Sequence, residues 1–211
     1  MLDVHAPHAT VHGWRDFLTH IATITIGLLI ALALEAGVEN LHHRHIVREA
    51  RENIHREIAQ NEAATKSNLD AVQSDADNLQ TNIEKTRQLR ANRHALDHDK
   101  MHFGFQWSSF NDSAWRSAHD TGALIYMSTA EVQQYADAYY QQDIVNQQAV
   151  AIFTHQSELV APFFMEKQSS DFTPEEVQSL LRECALTQLR LMTLKQLIEG
   201  QEKAYANIPA K

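Results

Sequence analysis

The sequence predicts an all-α protein, in which one N-terminal transmembrane helix continues into a long helix that packs with two C-terminal helices as an antiparallel bundle. Three observations predict this fold. The chain of 211 residues holds only six glycines and four prolines, so few positions favour turns. No glycine or proline lies between Val38 and Phe103, which favours one long helix. Apolar residues in this stretch recur at alternating spacings of four and three, which is typical of packed helices.

The transmembrane helix is predicted over residues 17–38, after a short tail over residues 1–16. No residue from Phe17 to Leu34 carries a formal charge. A helix over residues 17–38 is about 33 Å long, which is enough to cross a hydrocarbon layer of roughly 30 Å. The threonines within it can return their hydroxyls to backbone carbonyls, so they cost little in lipid. These threonines are Thr19, Thr23 and Thr25.

Two other interpretations of this segment stay open. The purely apolar stretch 21–34 is short enough to be a buried helix of a soluble protein. Alternatively, Ala31-Leu32-Ala33 resembles the cleavage site of a signal peptide, although the preceding residues contain only one arginine. If the segment spans a membrane, the arginines that follow it favour a cytoplasmic bundle and a short N-terminus outside. These arginines are Arg44, Arg48, Arg51 and Arg56.

The long helix is predicted to continue over residues 39–93 as a stalk that joins the bundle. Its basic and acidic residues are balanced and interleaved, as on a solvated helix. Its apolar positions follow a heptad pattern, as in one helix of a bundle or coiled coil. The positions are Thr65, Leu69, Val72, Ala76, Leu79, Ile83 and Thr86. We expect the C-terminal half of the chain to cover this seam.

Two helix start signals divide the C-terminal half into bundle helices over residues 129–168 and 174–206. Ser128 and Glu131 form the pattern of a capping box, in which each side chain bonds the other residue's backbone N–H. Thr173, Pro174 and Glu176 repeat that pattern with proline at the first helical position. Pro162 is expected to kink or end the first of these helices.

Residues 94–128 are predicted to form an aromatic-rich turn module between the long helix and the bundle helices. A short helix ending at Gly122, a natural left-handed cap, would bring Trp115 and Leu124 into one cluster. The cluster either seals the end of the bundle or, together with the other aromatics, forms a pocket for a ligand or partner. The other aromatics are Phe103, Phe105, Trp107 and Phe110.

The chain resembles a family of uncharacterised bacterial single-span membrane proteins that carry a helical domain of unknown function. The matching residues are the span motif from Ile26 to Leu32, the Trp115-x6-Gly122-x-Leu124 module, and Tyr139 and Tyr140. The chain departs from the family at Glu35 and in its histidine-rich flank. The resemblance implies a membrane anchor bearing a helical domain in the bacterial inner (cell) membrane, and it implies no catalytic residues.

The residue patterns of common active sites do not occur in the sequence, and we predict no catalytic, cofactor-binding or metal-binding residues. One cysteine, Cys184, lies on an apolar helical stripe and excludes an internal disulfide. Thirteen histidines are the unusual feature. They group before the span (His5, His8, His12), inside its end (His20), after it (His42, His43, His45), and at spacings of four (His94, His98, His102). If the last group is helical, its imidazoles share one face beside Asp97 or Asp99.

We therefore expect a membrane-anchored scaffold or interaction protein without enzymatic activity. Its expected partners are the lipid bilayer and either a second copy of the chain, as a homo-oligomer, or another membrane protein. Nucleic acid is excluded as a partner because residues 94–211 carry fifteen acidic and eight basic residues. The alternative is a membrane sensor or transport accessory that uses the histidines near the span for metal or protons.

Overall fold

A computed structural model describes residues 13–95, 101–164 and 171–208 of the chain. These residues form four α-helices and one short 3-10 helix, and they contain no β-strand. The helices are α1 (Trp14–Ala91), α2 (Ser113–Asp120), the 3-10 helix (Ala123–Tyr126), α3 (Thr129–Phe164) and α4 (Pro174–Ala206). The predicted all-α fold, with a long N-terminal helix packed against two C-terminal helices, is confirmed. Residues 165–168 of the predicted first bundle helix lie outside the described residues.

The chain divides into two compact units, Met1–Arg48 and Glu49–Lys211. In the first unit, α1 contains a window of 18 residues with a mean hydropathy of 2.2, and none of this window is buried. By length and composition the helix is able to cross a membrane. Two of its threonines return their hydroxyls to the helix as predicted, since Thr19 Oγ1 donates to Arg15 O (2.7 Å) and Thr23 Oγ1 donates to Thr19 O (2.9 Å).

The second unit is a bundle in which α1 and α3 run parallel and α4 runs antiparallel to both. Tyr135 of α3 lies beside His55 of α1, and Gln142 lies beside Asn61, so both helices advance in the same direction. In contrast, Tyr205 near the end of α4 contacts Gln142. The long helices α1 and α3 are able to run parallel because residues 101–112 return along α1 before α2 begins.

The predicted heptad seam of α1 packs into the core of this bundle. Its members are buried or partly buried, and Ile54 and Ile58 extend the buried stripe upstream. The facing residues come from α3 and α4, which carry Val145, Ala149, Ile152, Cys184, Leu191, Leu194 and Ile198 into the same core. The seam is therefore one side of a shared hydrophobic core.

Next to the seam, α1 carries a second row of buried residues that the apolar pattern does not predict. We call this row the asparagine ladder: Asn61, Asn68 and Asn82, each at most 2% exposed. Each side-chain amide donates to the carbonyl of one residue in the segment 101–112 and accepts from the N–H of the same residue. The pairs are Asn61 with Asn111, Asn68 with Ser108 and Asn82 with His102, at 2.7–3.2 Å. The ladder holds this extended segment along α1.

The predicted helix start of α4 is confirmed in full. Thr173 Oγ1 accepts from the N–H of Glu176 (3.2 Å), and the Glu176 carboxylate accepts from the N–H of Thr173 (2.9 Å). The start of α3 is correct only in half. Ser128 Oγ accepts from the N–H of Glu131 (3.2 Å), but the Glu131 carboxylate pairs with Arg51. Glu131 pairs with Arg51 instead of the backbone N–H of Ser128, because hydrogen bonds between ionised groups are stronger than a bond to a neutral N–H.

Gly122 adopts the predicted left-handed conformation, with φ of 74°, directly after the C-cap of α2. This conformation turns the chain into the 3-10 helix that leads to α3. Pro162 lies in the last turn of α3, which ends at Phe164. The turn at Gly122 lets α2 lie beside the N-terminal half of α3, where the candidate site is found.

Candidate functional site

An open groove of about 510 Å³ lies between α2 and α3. We call it the aromatic groove. Its walls are Phe110, Asp112, Trp115 and Arg116 on one side, and Ala136, Tyr139, Tyr140, Gln142, Asp143 and Asn146 of α3 on the other. Its volume lies within the usual range for sites that bind small molecules or side chains of a partner.

The aromatic groove is built around the stacked rings of Trp115 and Tyr139. Their ring centroids are 5.4 Å apart and the ring planes differ by 14°. Trp115 also meets Tyr135 at 6.4 Å with the planes tilted by 57°. Stacked aromatic pairs of this kind contribute about 0.5–1.5 kcal/mol beyond the burial of their surface. The stack therefore fixes α2 against α3 and gives the groove a rigid aromatic wall.

Glu57 of α1 forms hydrogen bonds with both of the helices that carry this stack, α2 and α3. The residue is 5% exposed, and one carboxylate oxygen accepts from the Tyr139 hydroxyl at 2.6 Å. The other oxygen accepts from Ser113 Oγ and from the N–H of Ala114, both at 2.8 Å. Since the N-cap residue Asp112 makes no side-chain cap bond, the Glu57 carboxylate from another helix caps the start of α2. Burial and the hydrogen bond to Glu57 raise the pKa of Tyr139, which keeps its hydroxyl protonated as a donor.

Gln142 of α3 connects α1, the segment 101–112 and α4 in one buried network. Its side-chain oxygen accepts from Asn61 Nδ2 (3.0 Å) and from the Tyr205 hydroxyl (2.7 Å). Its amide nitrogen donates to the carbonyl of Asn111 at 3.0 Å. Gln201 Nε2 in turn donates to the Tyr205 hydroxyl at 2.6 Å. Burial raises the pKa of Tyr205 to about 12, so this hydroxyl stays a donor at neutral pH.

A second polar cluster joins α1 to the first turn of α3. Arg51 donates from Nε and Nη2 to the two oxygens of Glu131, at 2.6 and 2.7 Å. The Tyr135 hydroxyl lies 3.2 Å from His55 Nε2. The hydrogen bond from Arg51 lowers the pKa of the Glu131 carboxyl, and burial raises the pKa of Tyr135 to about 12. This cluster is structural, because its ionised groups pair with each other.

The charged side chains in the aromatic groove are two carboxylates and one guanidinium. Arg116 donates from Nε to Asp112 Oδ2 at 2.7 Å, so these two charges neutralise each other. Asp143 accepts from Gln147 Nε2 at 2.7 Å, a neutral partner, and keeps its negative charge in the groove. Tyr140, which also lines the groove, is 69% exposed. An exposed ring beside a carboxylate is an arrangement that binds cations.

The sequence predicted some of these residues and missed others. Trp115 and Phe110, from the predicted turn module, line the groove. The other aromatics of the module do not line the groove: Phe105 stacks on Trp107, Trp107 contacts Phe110 edge-on, and Phe103 packs on Phe163. Leu124 lies in the 3-10 helix and is partly buried, and it does not line the groove. Glu57 and Gln142 were missed, because isolated polar residues on long helices carry no signal of burial.

No histidine with a described position lines this groove. His42 and His43 have ring centroids 6.3 Å apart, His43 Nε2 lies 3.8 Å from Glu39, and His45 Nδ1 lies 3.1 Å from Arg48. The condition under which His94, His98 and His102 would share a helical face is not met at His94 and His102, because α1 ends at Ala91 and His102 belongs to the extended segment. His98, Asp97 and Asp99 lie outside the described residues, as do His5, His8 and His12. Within the described ranges, no three residues of the types His, Cys, Asp and Glu are placed to hold a metal ion.

Cys184, the single cysteine, is fully buried in the core between the bundle helices. Burial raises the pKa of its thiol to about 12, so it is protonated and unreactive at neutral pH.

Comparison of the chain with protein-family models, with curated proteins and with solved structures finds no match.

Proposed function

We propose that the protein is a membrane-anchored interaction protein, in which residues 17–38 span a bilayer and the helical bundle binds a partner protein at the aromatic groove. The proposal contains no catalytic step. The observation that carries the proposal is the Trp115–Tyr139 stack, beside which the groove presents the exposed Tyr140 and the carboxylate of Asp143. The N-terminal part of α1 is in addition apolar and exposed.

The membrane anchor is supported by the exposure of residues 17–38. Large apolar side chains on all sides of this part of α1 are about half exposed or more, from 46% at Phe17 to 71% at Ile24. A helix in the core of a soluble protein buries such side chains, and water penalises them by roughly 25 cal/mol for each Å². Lipid removes that penalty, and the α-helix satisfies every backbone group internally.

Partner binding at the groove is supported by its rigidity and its exposed chemistry. The Trp115–Tyr139 stack, the Glu57 anchor and the Gln142 network hold the walls in place, so binding costs little ordering of the protein. Tyr140 and, further along α3, Val150 and Phe153 remain 62–69% exposed. Such apolar surface beside a groove is typical of an interaction site.

The favoured partner is a basic segment of a protein. Asp143 is the uncompensated charge in the groove, and the chain has a formal net charge of -9. A lysine or arginine side chain would place its cation over Tyr140 and against the Asp143 carboxylate, while its neighbours pack on the exposed apolar side chains. The test also distinguishes a second possible occupant of the groove, a second copy of the chain.

The test is selection from a library of displayed peptides against the full chain in lipid nanodiscs. We expect the selected peptides to combine lysine or arginine with an apolar neighbour, and to lose at least about tenfold in affinity for the variants Tyr140→Ala and Asp143→Asn. The matched control is Glu199→Gln, which removes one exposed carboxylate from α4 and leaves binding unchanged.

Two results would contradict the proposed partner. Selected peptides without basic residues would exclude the charge argument. Equal affinity for the parent chain, Tyr140→Ala and Asp143→Asn would place binding outside the groove. Mass measurement of the nanodisc-embedded protein by light scattering tests the other occupant, and a dimer that Tyr140→Ala dissociates would replace the basic segment by a second copy.

The alternative function, a metal or proton sensor that uses the histidines near the span, has weaker support. His43 and His45 lie beside Glu39 and Arg48, at distances typical of helix-surface pairs. Zinc titration of the full chain by calorimetry distinguishes the two functions. Heat that disappears when His42, His43 and His45 are all replaced by alanine would favour the sensor over the interaction protein.

A further inference from the structure

The asparagine ladder matches two different backbone repeats. Its rungs on α1 lie seven residues apart (Asn61, Asn68) or fourteen (Asn68, Asn82), while their partners in the segment lie three apart (Asn111, Ser108) or six (Ser108, His102). Seven helical residues rise about 10.5 Å, and three extended residues advance about 10 Å. The two chains therefore stay in register over the whole ladder.

One position of this register is occupied by a carboxylate instead of an amide. Asp75 lies seven residues from both Asn68 and Asn82. The spacing of three residues places Phe105 opposite Asp75, and the backbone N–H of the next residue, Gln106, donates to the Asp75 carboxylate. An ionised carboxylate has no proton to donate in return. Accordingly, Asp75 Oδ2 is shielded from solvent and has no hydrogen-bond partner among the described residues.

Asp75 faces a small cavity of about 20 Å³ between the segment, α3 and α4. Among the charged and titratable residues, His102 of the segment lines the same cavity; α3 contributes the neutral Gln156 with Ile152 and Leu159, and α4 contributes Thr187 and Leu191. Asp97, Asp99 and Lys100 lie outside the described residues. Among the described residues that line this cavity, His102 is therefore the one basic side chain near the Asp75 carboxylate.

We propose that Asp75 is a pH-responsive rung of the asparagine ladder. When protonated, its carboxyl donates and accepts as the asparagines do, and it holds residues 101–112 against α1 with two hydrogen bonds. When ionised, it holds the segment with one, and its second oxygen is left without a donor. Because the segment leads through Phe110 and Asp112 into the wall of the aromatic groove, this rung regulates how firmly that wall is held.

The direction of the pH effect follows from burial. Desolvation raises the pKa of Asp75 above 3.8, while the Gln106 N–H lowers it by less. A carboxyl with a raised pKa in the folded state binds protons more tightly there than in the unfolded chain. Its stabilising contribution is therefore full below pH 3.8 and is lost as the pH rises through the raised pKa.

Hydrogen exchange of the backbone amides in residues 101–112 tests this rung in the full chain in nanodiscs. After correction for intrinsic exchange rates, we expect protection of the Gln106 and Ser108 amides to fall by up to about tenfold for each pH unit inside the titration window. In Asp75→Asn we expect protection that is independent of pH and higher than in the parent chain at pH 7.

Two further variants separate this rung from general effects of pH. Asp70→Asn removes an exposed carboxylate from the same helix and should keep the pH profile of the parent chain. Asn68→Asp places a second carboxyl in the ladder and should add a pH dependence at Ser108. An Asp75→Asn profile equal to that of the parent chain would overturn the proposal. So would lower protection in Asp75→Asn at pH 7, because it would show that the ionised form is the better rung, for example with a water in the cavity.

Discussion

The two ends of α1 are both helical, but their side chains differ in polarity and in burial. Residues 17–38 are uncharged as far as Leu34, predominantly apolar and exposed throughout. Residues 49–91 are charged on one side, apolar along the seam and amide-bearing along the asparagine ladder. The absence of glycine and proline explains why both parts are helical. The side-chain pattern explains why one part is apolar enough to cross a membrane and the other packs against α3 and α4.

The comparison also shows two ways to cover a helix. The seam is covered by side chains from α3 and α4, without directional bonds. The asparagine ladder is covered by a bare extended backbone, whose N–H and C=O groups each need a partner. Asparagine supplies both a donor and an acceptor, so it suits this second role, whereas leucine and valine suit the first.

The largest expected effect comes from charge in the apolar end of α1. The double variant Leu28→Arg/Leu29→Arg costs about 3 kcal/mol for each arginine at the centre of a bilayer. We expect it to leave the membrane fraction during carbonate extraction. Ser74→Arg, on the exposed side of the bundle end of α1, should stay with the membrane as the parent chain does. Retention of the double variant in the membrane would contradict a span at this position.

A smaller effect is expected from removing one rung of the ladder. Asn68→Ala leaves the N–H and C=O of Ser108 without their partner and should lower the free energy of unfolding by about 2 kcal/mol. Denaturant unfolding of the full chain in detergent, followed by tryptophan fluorescence, measures this loss. Asn78→Ala on the exposed side is the control and should change stability by less than about 0.5 kcal/mol. Equal effects of the two variants would show that the ladder does not hold the segment.

Glu57→Gln tests the anchor under the aromatic groove. The amide keeps the shape of the side chain but removes the negative charge at the start of α2 and one of its acceptor oxygens. We expect a loss of about 1 kcal/mol in stability and weaker near-ultraviolet circular dichroism from Trp115. Glu62→Gln, an exposed position on the same helix, should leave both quantities unchanged. An unchanged Trp115 signal in Glu57→Gln would separate the stack from its anchor.

The smallest effect is expected at the pair between Arg51 and Glu131. Since the pKa of Glu131 is lowered, its contribution is present above pH 4.5 and is lost as the pH falls through the lowered pKa. Solvent screens Arg51, whose side chain is 44% exposed, so the contribution stays within about 1 kcal/mol. The difference in melting temperature between the parent chain and Glu131→Gln should shrink on going from pH 7 to pH 3. A constant difference would contradict the ionic origin of this contact.

Local signals made much of the fold predictable. The start of α4 at Pro174, the left-handed Gly122 and the buried seam each depend on residues a few positions apart, and the structure contains all three. The start of α3 was half correct because Glu131 finds a partner 80 residues away in Arg51. Local rules contain no information about such distant competitors.

The asparagine ladder and most of the candidate site were not predictable in this way. Asn61, Asn68 and Asn82 repeat with the heptad, but asparagine on a helix is normally read as solvent-exposed. Their burial depends on an extended segment 20 to 50 residues further along the chain. The burial of Glu57 and Gln142 likewise depends on residues far away in the sequence, such as Ser113 for Glu57 and Asn61 for Gln142. A heptad repeat of asparagine beside an apolar seam is the signal that would have indicated this packing.

The division of α1 is tested most directly by spin labels at its two ends. Single cysteines at Ile30 and Ser74, in a chain with Cys184→Ala, would carry nitroxides in nanodiscs. Power saturation compares their accessibility to oxygen, which concentrates in lipid, with that to a water-soluble nickel chelate. We predict that the label at position 30 is accessible to oxygen and shielded from nickel, and that the label at position 74 shows the reverse. Equal access of nickel to both labels would contradict the membrane anchor.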